Sequence, residues 1–181
     1  MQLKTILPAL IISSLAPFAA LAAGDGGASS GDAPTVTKCK RGEVWDKKAN
    51  KCVAAKSGID DDSLYEAGRD LAYYGRYEEA IKVLELAANK NDPRILNYLG
   101  YSNRKIGKIE LGMTYYQAAL AARPDYTLVR EYLGEALLQT GDVAAARTQL
   151  SEIERICGGS TCDEYKSLAN EIADFERAKA G

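Results

Sequence analysis

Four cysteines, Cys39, Cys52, Cys157 and Cys162, are the side chains of this sequence best suited to covalent chemistry. A thiol can attack a substrate, ligate a metal or pair with a second thiol. Attack needs a base to hold the thiolate, and histidine, the usual base, is absent from all 181 residues. The same absence removes every His-containing triad and every His metal ligand. A four-thiolate zinc site brings its ligands in pairs spaced roughly two to four residues apart. Twelve residues lie between Cys39 and Cys52, so that pair does not fit. Disulfides remain, as expected of an exported chain. Three pairings are possible, and the two local ones, Cys39 with Cys52 and Cys157 with Cys162, need the least chain rearrangement. Four residues separate Cys157 from Cys162, which is not the two-residue spacing of redox-active pairs, so a structural bridge is expected there.

Other chemistry is sparse. Carboxylates are plentiful, but none is singled out by an apolar surround or a paired carboxylate. Trp45 is the one tryptophan and can stack on a flat ligand face. Lys+Arg number 23 against 25 Asp+Glu, a net charge of -2, which argues against a nucleic-acid partner. No enzyme activity, cofactor or metal is expected.

Residues 1–22 read as a signal peptide. Lys4 precedes a nearly continuous apolar run over 5–21, which ends in Ala20-Leu21-Ala22, a small-x-small cleavage pattern. The rival is a membrane anchor, but Pro8, Pro17, Ser13 and Ser14 weaken the run as a permanent helix. No later segment is long and apolar enough to span. A periplasmic or secreted location follows. Residues 23–37, rich in Gly, Ser, Ala and Asp, read as a flexible linker.

Residues 38–56 form a basic unit with seven Lys+Arg against two Glu+Asp, a balance of +5. Glu43-Val44-Trp45 and Lys51-Cys52-Val53 read as strands around a turn at 46–50. A two-stranded hairpin is marginal by itself, and a Cys39–Cys52 bridge could add about 3 kcal/mol in the chain-entropy model. Residues 60–181 carry 15 Lys+Arg and 21 Asp+Glu, a balance of -6. This opposition of sign predicts either docking of the hairpin on the acidic body or contact with an anionic surface elsewhere, while the plainer expectation is solvated lysines.

The body repeats. Gly75, Gly107 and Gly141 recur at spacings of 32 and 34 residues, as do Gly68, Gly100 and Gly134 upstream of them. A period in this range means stacked supersecondary units. Leu64, Ala67, Gly68 and Leu71 share one helix face, and Tyr77, Ala80, Ile81, Leu84 and Ala87 share another beyond Gly75. The spacing predicts units at 60–92, 93–126 and 127–160. A capping helix is expected at 161–179, with Tyr165, Leu168, Ala169, Ile172 and Phe175 on its apolar stripe. Ser63-Leu64-Tyr65-Glu66 and Thr161-Cys162-Asp163-Glu164 read as capping boxes.

These residues resemble the tetratricopeptide repeat family. The middle unit matches at Leu96, Leu99, Gly100, Tyr116, Ala119 and Pro124, with Gly112 where Ala is usual and Asn103 in place of a large residue. The first unit matches at Leu64, Gly68, Ala80, Leu84 and Ala87. The third matches at Leu133, Gly134, Ala146 and Leu150, but has Arg130 at the large apolar position and Gly158 in place of Pro. The implied fold is all-α: a helical-hairpin solenoid of three repeats with a C-terminal capping helix, preceded by a small disulfide-stapled β-hairpin.

The resemblance also implies a concave groove lined by the first helix of each unit. Its positions fall on Asp62, Tyr65, Arg69 and Tyr73, then Arg94, Asn97, Tyr101, Arg104 and Lys105, then Leu128, Glu131, Glu135 and Gln139. Family members that grip a terminal carboxylate use Lys and Asn, then Asn, then Lys and Arg. Here Tyr65 and Arg69, Tyr101, and Glu131 and Glu135 stand instead, so that clamp is not present. The expected function is a non-enzymatic protein-interaction scaffold of the bacterial cell envelope that holds a protein or peptide segment in this groove. The alternative is a cell-wall polymer or carbohydrate partner. Cys39-x-x-Gly42-x-Val44-Trp45-Asp46 through Cys52 is similar to the core of small chitin-binding modules, which implies sugar contact at Trp45.

Overall fold

The structure, a computed structural model, describes residues 35–181. The signal peptide expected at 1–22 and most of the linker expected at 23–37 lie outside these residues. The described chain begins with one helical turn, α1 (Thr35–Lys38), followed by β1 (Glu43–Asp46) and β2 (Lys51–Ala54). Six helices then pair in sequence: α2 (Asp61–Tyr73) with α3 (Tyr77–Leu84), α4 (Pro93–Lys105) with α5 (Ile109–Ala122), and α6 (Thr127–Gln139) with α7 (Val143–Cys157). The last helix, α8 (Asp163–Ala180), packs on both α6 and α7.

Each pair turns on a glycine in the left-handed region. Gly75, Gly107 and Gly141 have φ of 73°, 85° and 86°. In each case the next residue's N–H reaches back to a carbonyl near the helix end: Arg76 to Leu71, Lys108 to Asn103 and Asp142 to Leu137, all at 2.9 Å. That closing bond satisfies an orphan carbonyl and needs a residue without a Cβ penalty.

The helices stack in two layers. α2 packs on α4, α4 on α6, and α6 on α8. α3 and α5 wedge against the next unit's first helix rather than against each other. The first helices therefore crowd together on the inner side of the curve. Small residues permit the crossings. A Cβ on Gly68 would sit 2.4 Å from Leu84, one on Gly100 2.6 Å from Tyr116, and one on Gly134 2.6 Å from Leu168. Large neighbours occupy the space that each missing side chain leaves.

The basic unit is docked, not free. β1 and β2 pair antiparallel with Val44 opposite Val53, and Val44 is 1% exposed in one core with Leu64, Ala67 and Leu84. The Lys47 N–H donates to the Ser63 hydroxyl at 3.0 Å, and its ammonium pairs with Glu66 at 2.7 Å. Arg41 pairs with Glu79 at 3.0 Å. Lys48, Lys51 and Lys56 stay exposed, so the solvated-lysine expectation holds only for part of the set. The hairpin thus covers the apolar end of the first unit, which no preceding repeat would otherwise bury.

Sulfur–sulfur bonds join Cys39 to Cys52 and Cys157 to Cys162, the two local pairings. All four thiols are consumed, so the grouping of Cys157, Cys162 and Glu164 offers a metal no thiolate.

Two helix starts differ from the sequence expectation. The N-cap of α2 lies three residues before the expected Ser63. Asp60 is its N-cap and accepts the Ser63 N–H at 3.0 Å, while Glu66 turns to Lys47. At α8 the cap residue is Cys162 and no side chain caps the helix. Glu164 instead accepts the Thr127 hydroxyl at 3.1 Å. In both cases a tertiary partner outcompetes the local reciprocal bond. The second helix of the first unit also stops at Leu84 rather than running through Ala87. The chain bends there, and the Asp61 carboxylate accepts the N–H groups of Ala88 and Asn89 at 2.7 and 2.8 Å.

Candidate functional site

The inner helices carry a continuous band of tyrosines. Helical spacing aligns Tyr65 and Tyr73 on α2, and Tyr98 and Tyr101 on α4, while Tyr132 follows on α6. Ring centroids lie 5.9 Å apart for Tyr65–Tyr98, 5.5 Å for Tyr73–Tyr98, 6.3 Å for Tyr98–Tyr101 and 5.1 Å for Tyr101–Tyr132. All four of these pairs are tilted or edge-on, and ring quadrupoles favour such arrangements over face-to-face stacking. The Tyr73 and Tyr98 hydroxyls are 2.5 Å apart.

Cations cap the rings. The Arg94 guanidinium lies 4.8 Å from the Tyr65 centroid, and Arg69 lies 5.7 Å from it. Arg104 sits 5.6 Å from Tyr101 and 5.9 Å from Tyr132, while the Lys105 ammonium sits 5.2 Å from Tyr101. Each arginine is balanced by acid. Arg69 holds Asp70 at 2.9 Å, Arg94 bridges Asp92 and Asp62 at 2.7 and 2.8 Å, and Arg104 holds Glu135 at 2.6 Å. Burial opposes ionisation of Asp92, but Arg94 and the backbone N–H groups at the start of α4 outweigh it and hold that carboxyl below its ordinary value.

The expected groove residues thus separate into two groups. Tyr73, Lys105 and Gln139 are exposed, and Tyr65, Arg69, Tyr101 and Glu135 are half-buried on the same inner face. Asn97, Arg104 and Glu131 are buried beneath it. Asn97 is fully buried, and neither atom of its carboxamide is hydrogen-bonded. Sequence reasoning missed Tyr98 as the hub beneath the band. It also missed Glu171 and Phe175, which reach from α8 to join Glu135, Leu138 and Gln139 around a depression of about 270 Å³. The stripe on α8 contained Phe175, but nothing in the sequence said that α8 would lie against the inner helix α6 and extend the groove.

Trp45 lies on the hairpin face opposite Val44, across from Cys52. The Lys38 ammonium stands 5.5 Å from its ring, so one ring face is already occupied by a cation. No helix among the described residues is long and apolar enough to cross a membrane.

Burial raises the tyrosine pKa values. Tyr101 and Tyr126 are each pushed up to about 12, and Tyr98 and Tyr116 are raised further by deeper burial. A folded value above the unfolded value of about 10 contributes stability in full below that pH. The contribution is lost as pH rises through the folded value. The window is therefore pH 10 to 12. Tyrosinate absorbance should rise in two stages across the 11 tyrosines, the second coinciding with loss of helical circular dichroism. A single stage near pH 10 with helix intact would contradict this burial.

The architecture defines a class: a stack of three helical hairpins closed by a final helix. A family model described as tetratricopeptide repeat matches residues 65–127 and 102–161, and the chain belongs to that family. No curated protein matches the sequence. Solved structures are similar in fold. One is the type III secretion translocator chaperone SycD of Yersinia enterocolitica, at 19% identity and TM-score 0.57, over 66% of this chain and 86% of that one. SycD in complex with a peptide of the translocator YopD matches at 24% identity and TM-score 0.54, over 65% of this chain and 89% of that one. The first such domain of Spaghetti (RPAP3), bound to an HSP90 peptide, matches at 18% identity and TM-score 0.58, over 70% of this chain and 98% of that one.

Proposed function

We propose that this chain is a non-enzymatic scaffold that holds a segment of a partner protein against the tyrosine band of its inner helices. The observation that carries this reading is the accessible side of that band, where exposed Tyr73 and half-buried Tyr65 and Tyr101 rest on buried Tyr98 and Tyr132, with Arg94 and Lys105 against their rings. Tyr and Arg are the side chains that concentrate binding energy at protein interfaces. The similar SycD and Spaghetti structures, each solved with a bound peptide, support the same use of the fold.

The compartment we infer is the bacterial periplasm or the outside of the cell. Two closed disulfides in so short a chain support an oxidising environment, and residues 1–22 read as an export signal. A cell-wall polymer partner has less support, because Trp45 shares its ring with Lys38 and Val44 is spent on docking.

The test is capture of envelope proteins on the immobilised chain, followed by mass identification. Lys105→Glu with Gln139→Arg changes two exposed groove residues and should leave the thermal midpoint in place. Loss of a captured protein in that variant supports the groove. Equal recovery from both forms overturns it. Arg104 is unsuitable for this purpose, since its buried charge is part of the packing.

A further inference from the structure

The seam between the disulfide-closed hairpin unit and the first repeat encloses a half-open cavity of about 310 Å³. That size is at the lower end of ligand pockets. It lies away from the tyrosine band, and the scaffold reading does not use it. Its walls come from both modules. Ala67 and Leu71 of α2, Val83 of α3 and Leu86 just beyond it form an apolar floor, and Val36 and Ala55 close it from the hairpin side. Cys39 also lines it, so the Cys39–Cys52 bridge fixes one wall. Close-packed interiors rarely keep an apolar space of this size.

The mouth is charged. Lys40, Glu43, Arg76, Glu79 and Lys82 surround it. Glu79 is doubly paired, to Arg76 at 2.6 Å and to Arg41 at 3.0 Å. Glu43 accepts the backbone N–H of Lys40 at 3.2 Å. The ammonium groups of Lys40 and Lys82 have no ion pair among the described residues. Lys40, Arg76 and Lys82 against Glu43 and Glu79 leave the rim with an excess of positive charge above an apolar floor, and Arg41 beside Glu79 adds to it.

We propose that this cavity binds an anionic amphiphile, a single acyl chain lying on the Ala67–Leu71–Val83–Leu86 floor with its anionic head at Lys40 and Lys82. A free fatty acid and a lysophospholipid share this chemistry. The apolar chain gains by leaving water for a preformed pocket, and the two lysines set the sign of the head group.

Calorimetric titration of the full chain tests this with decanoate, decanoyl-lysophosphatidylglycerol and decyltrimethylammonium, each below its micelle concentration. One anionic ligand per chain is expected, and no binding of the cationic amphiphile. Stronger binding of decanoate assigns the site to free acids, and stronger binding of the lysolipid assigns it to lipid. Lys40→Glu with Lys82→Glu should weaken the anion roughly tenfold, as expected for loss and reversal of two partly exposed charges. Leu86→Trp, at a half-buried lining position, should abolish binding while the thermal midpoint holds. Absence of binding by either anion overturns the proposal. So does equal affinity for anion and cation, or an affinity indifferent to both variants.

Discussion

Glu135→Ala is expected to destabilise the chain by about 3 kcal/mol, at the low end for breaking a buried ion pair because Glu135 is 20% exposed. Its partner has no retreat. The Arg104 side chain is 1% exposed, and besides Glu135 it meets the Tyr116 hydroxyl at 3.4 Å and the faces of Tyr101 and Tyr132. A guanidinium does not shed its proton, so removing the carboxylate strands a full charge among rings. The desolvation cost of that charge, rather than the lost attraction, sets the size of the effect. The double replacement Arg104→Met with Glu135→Leu removes both charges and should recover most of the loss. Urea denaturation of the two variants checks this. A Glu135→Ala cost below about 1 kcal/mol would mean that water reaches Arg104 and that the band is looser than described.

The second large effect is expected at the crossing of α4 and α5. A Cβ on Gly100 would lie 2.6 Å from the Tyr116 ring and 3.0 Å from the Gly112 carbonyl oxygen. Tyr116 is fully buried, and its hydroxyl is held by Arg104. Neither neighbour can swing away, so Gly100→Ala should cost roughly 3 kcal/mol through overpacking. Gly112→Ala is the more instructive variant. Helix propensity alone predicts a gain of about 1 kcal/mol, and alanine is the usual family residue there. Its Cβ would meet the Gly100 carbonyl oxygen at 2.9 Å and the Arg104 Cβ at 3.1 Å. We expect net destabilisation, because one of the atoms in the way is backbone. A Gly112→Ala chain that melts higher than the parent would show that the two helices can separate at small cost.

The repeat was legible because it is periodic. Gly68, Gly100 and Gly134 recur in phase with Gly75, Gly107 and Gly141, and the apolar positions between them fit only paired helices. The hairpin strands and the local disulfides were legible for a related reason, since each depends on residues close in sequence. Ser63 and Glu164 were misread, although they also look local. Each lies beside an element distant in sequence, the hairpin in one case and α6 in the other, and a neighbour that sequence spacing cannot see competes for the same hydrogen bonds.

The groove shows the same division residue by residue. The resemblance assigned Tyr65, Tyr101 and Glu135 to a groove, and they are half-buried on α2, α4 and α6. It gave no sign that Asn97 and Arg104 would be sealed beneath, or that Glu171 and Phe175 would complete the far end. Helical phase fixes which residues share a side of one helix. Depth depends on how closely the next helix approaches, and that is set by side chains some thirty residues away.

Amino-acid order alone determined that this chain is three helical hairpins with a final helix, closed by two short-range bridges, because periodic burial and turn chemistry act over a few residues. Only the tertiary arrangement decided that the basic hairpin caps the first repeat, that the tyrosines merge into one band, and that a cavity opens at the seam. Those features come from surfaces of different elements meeting, and the fit between two surfaces is not encoded in the spacing of either.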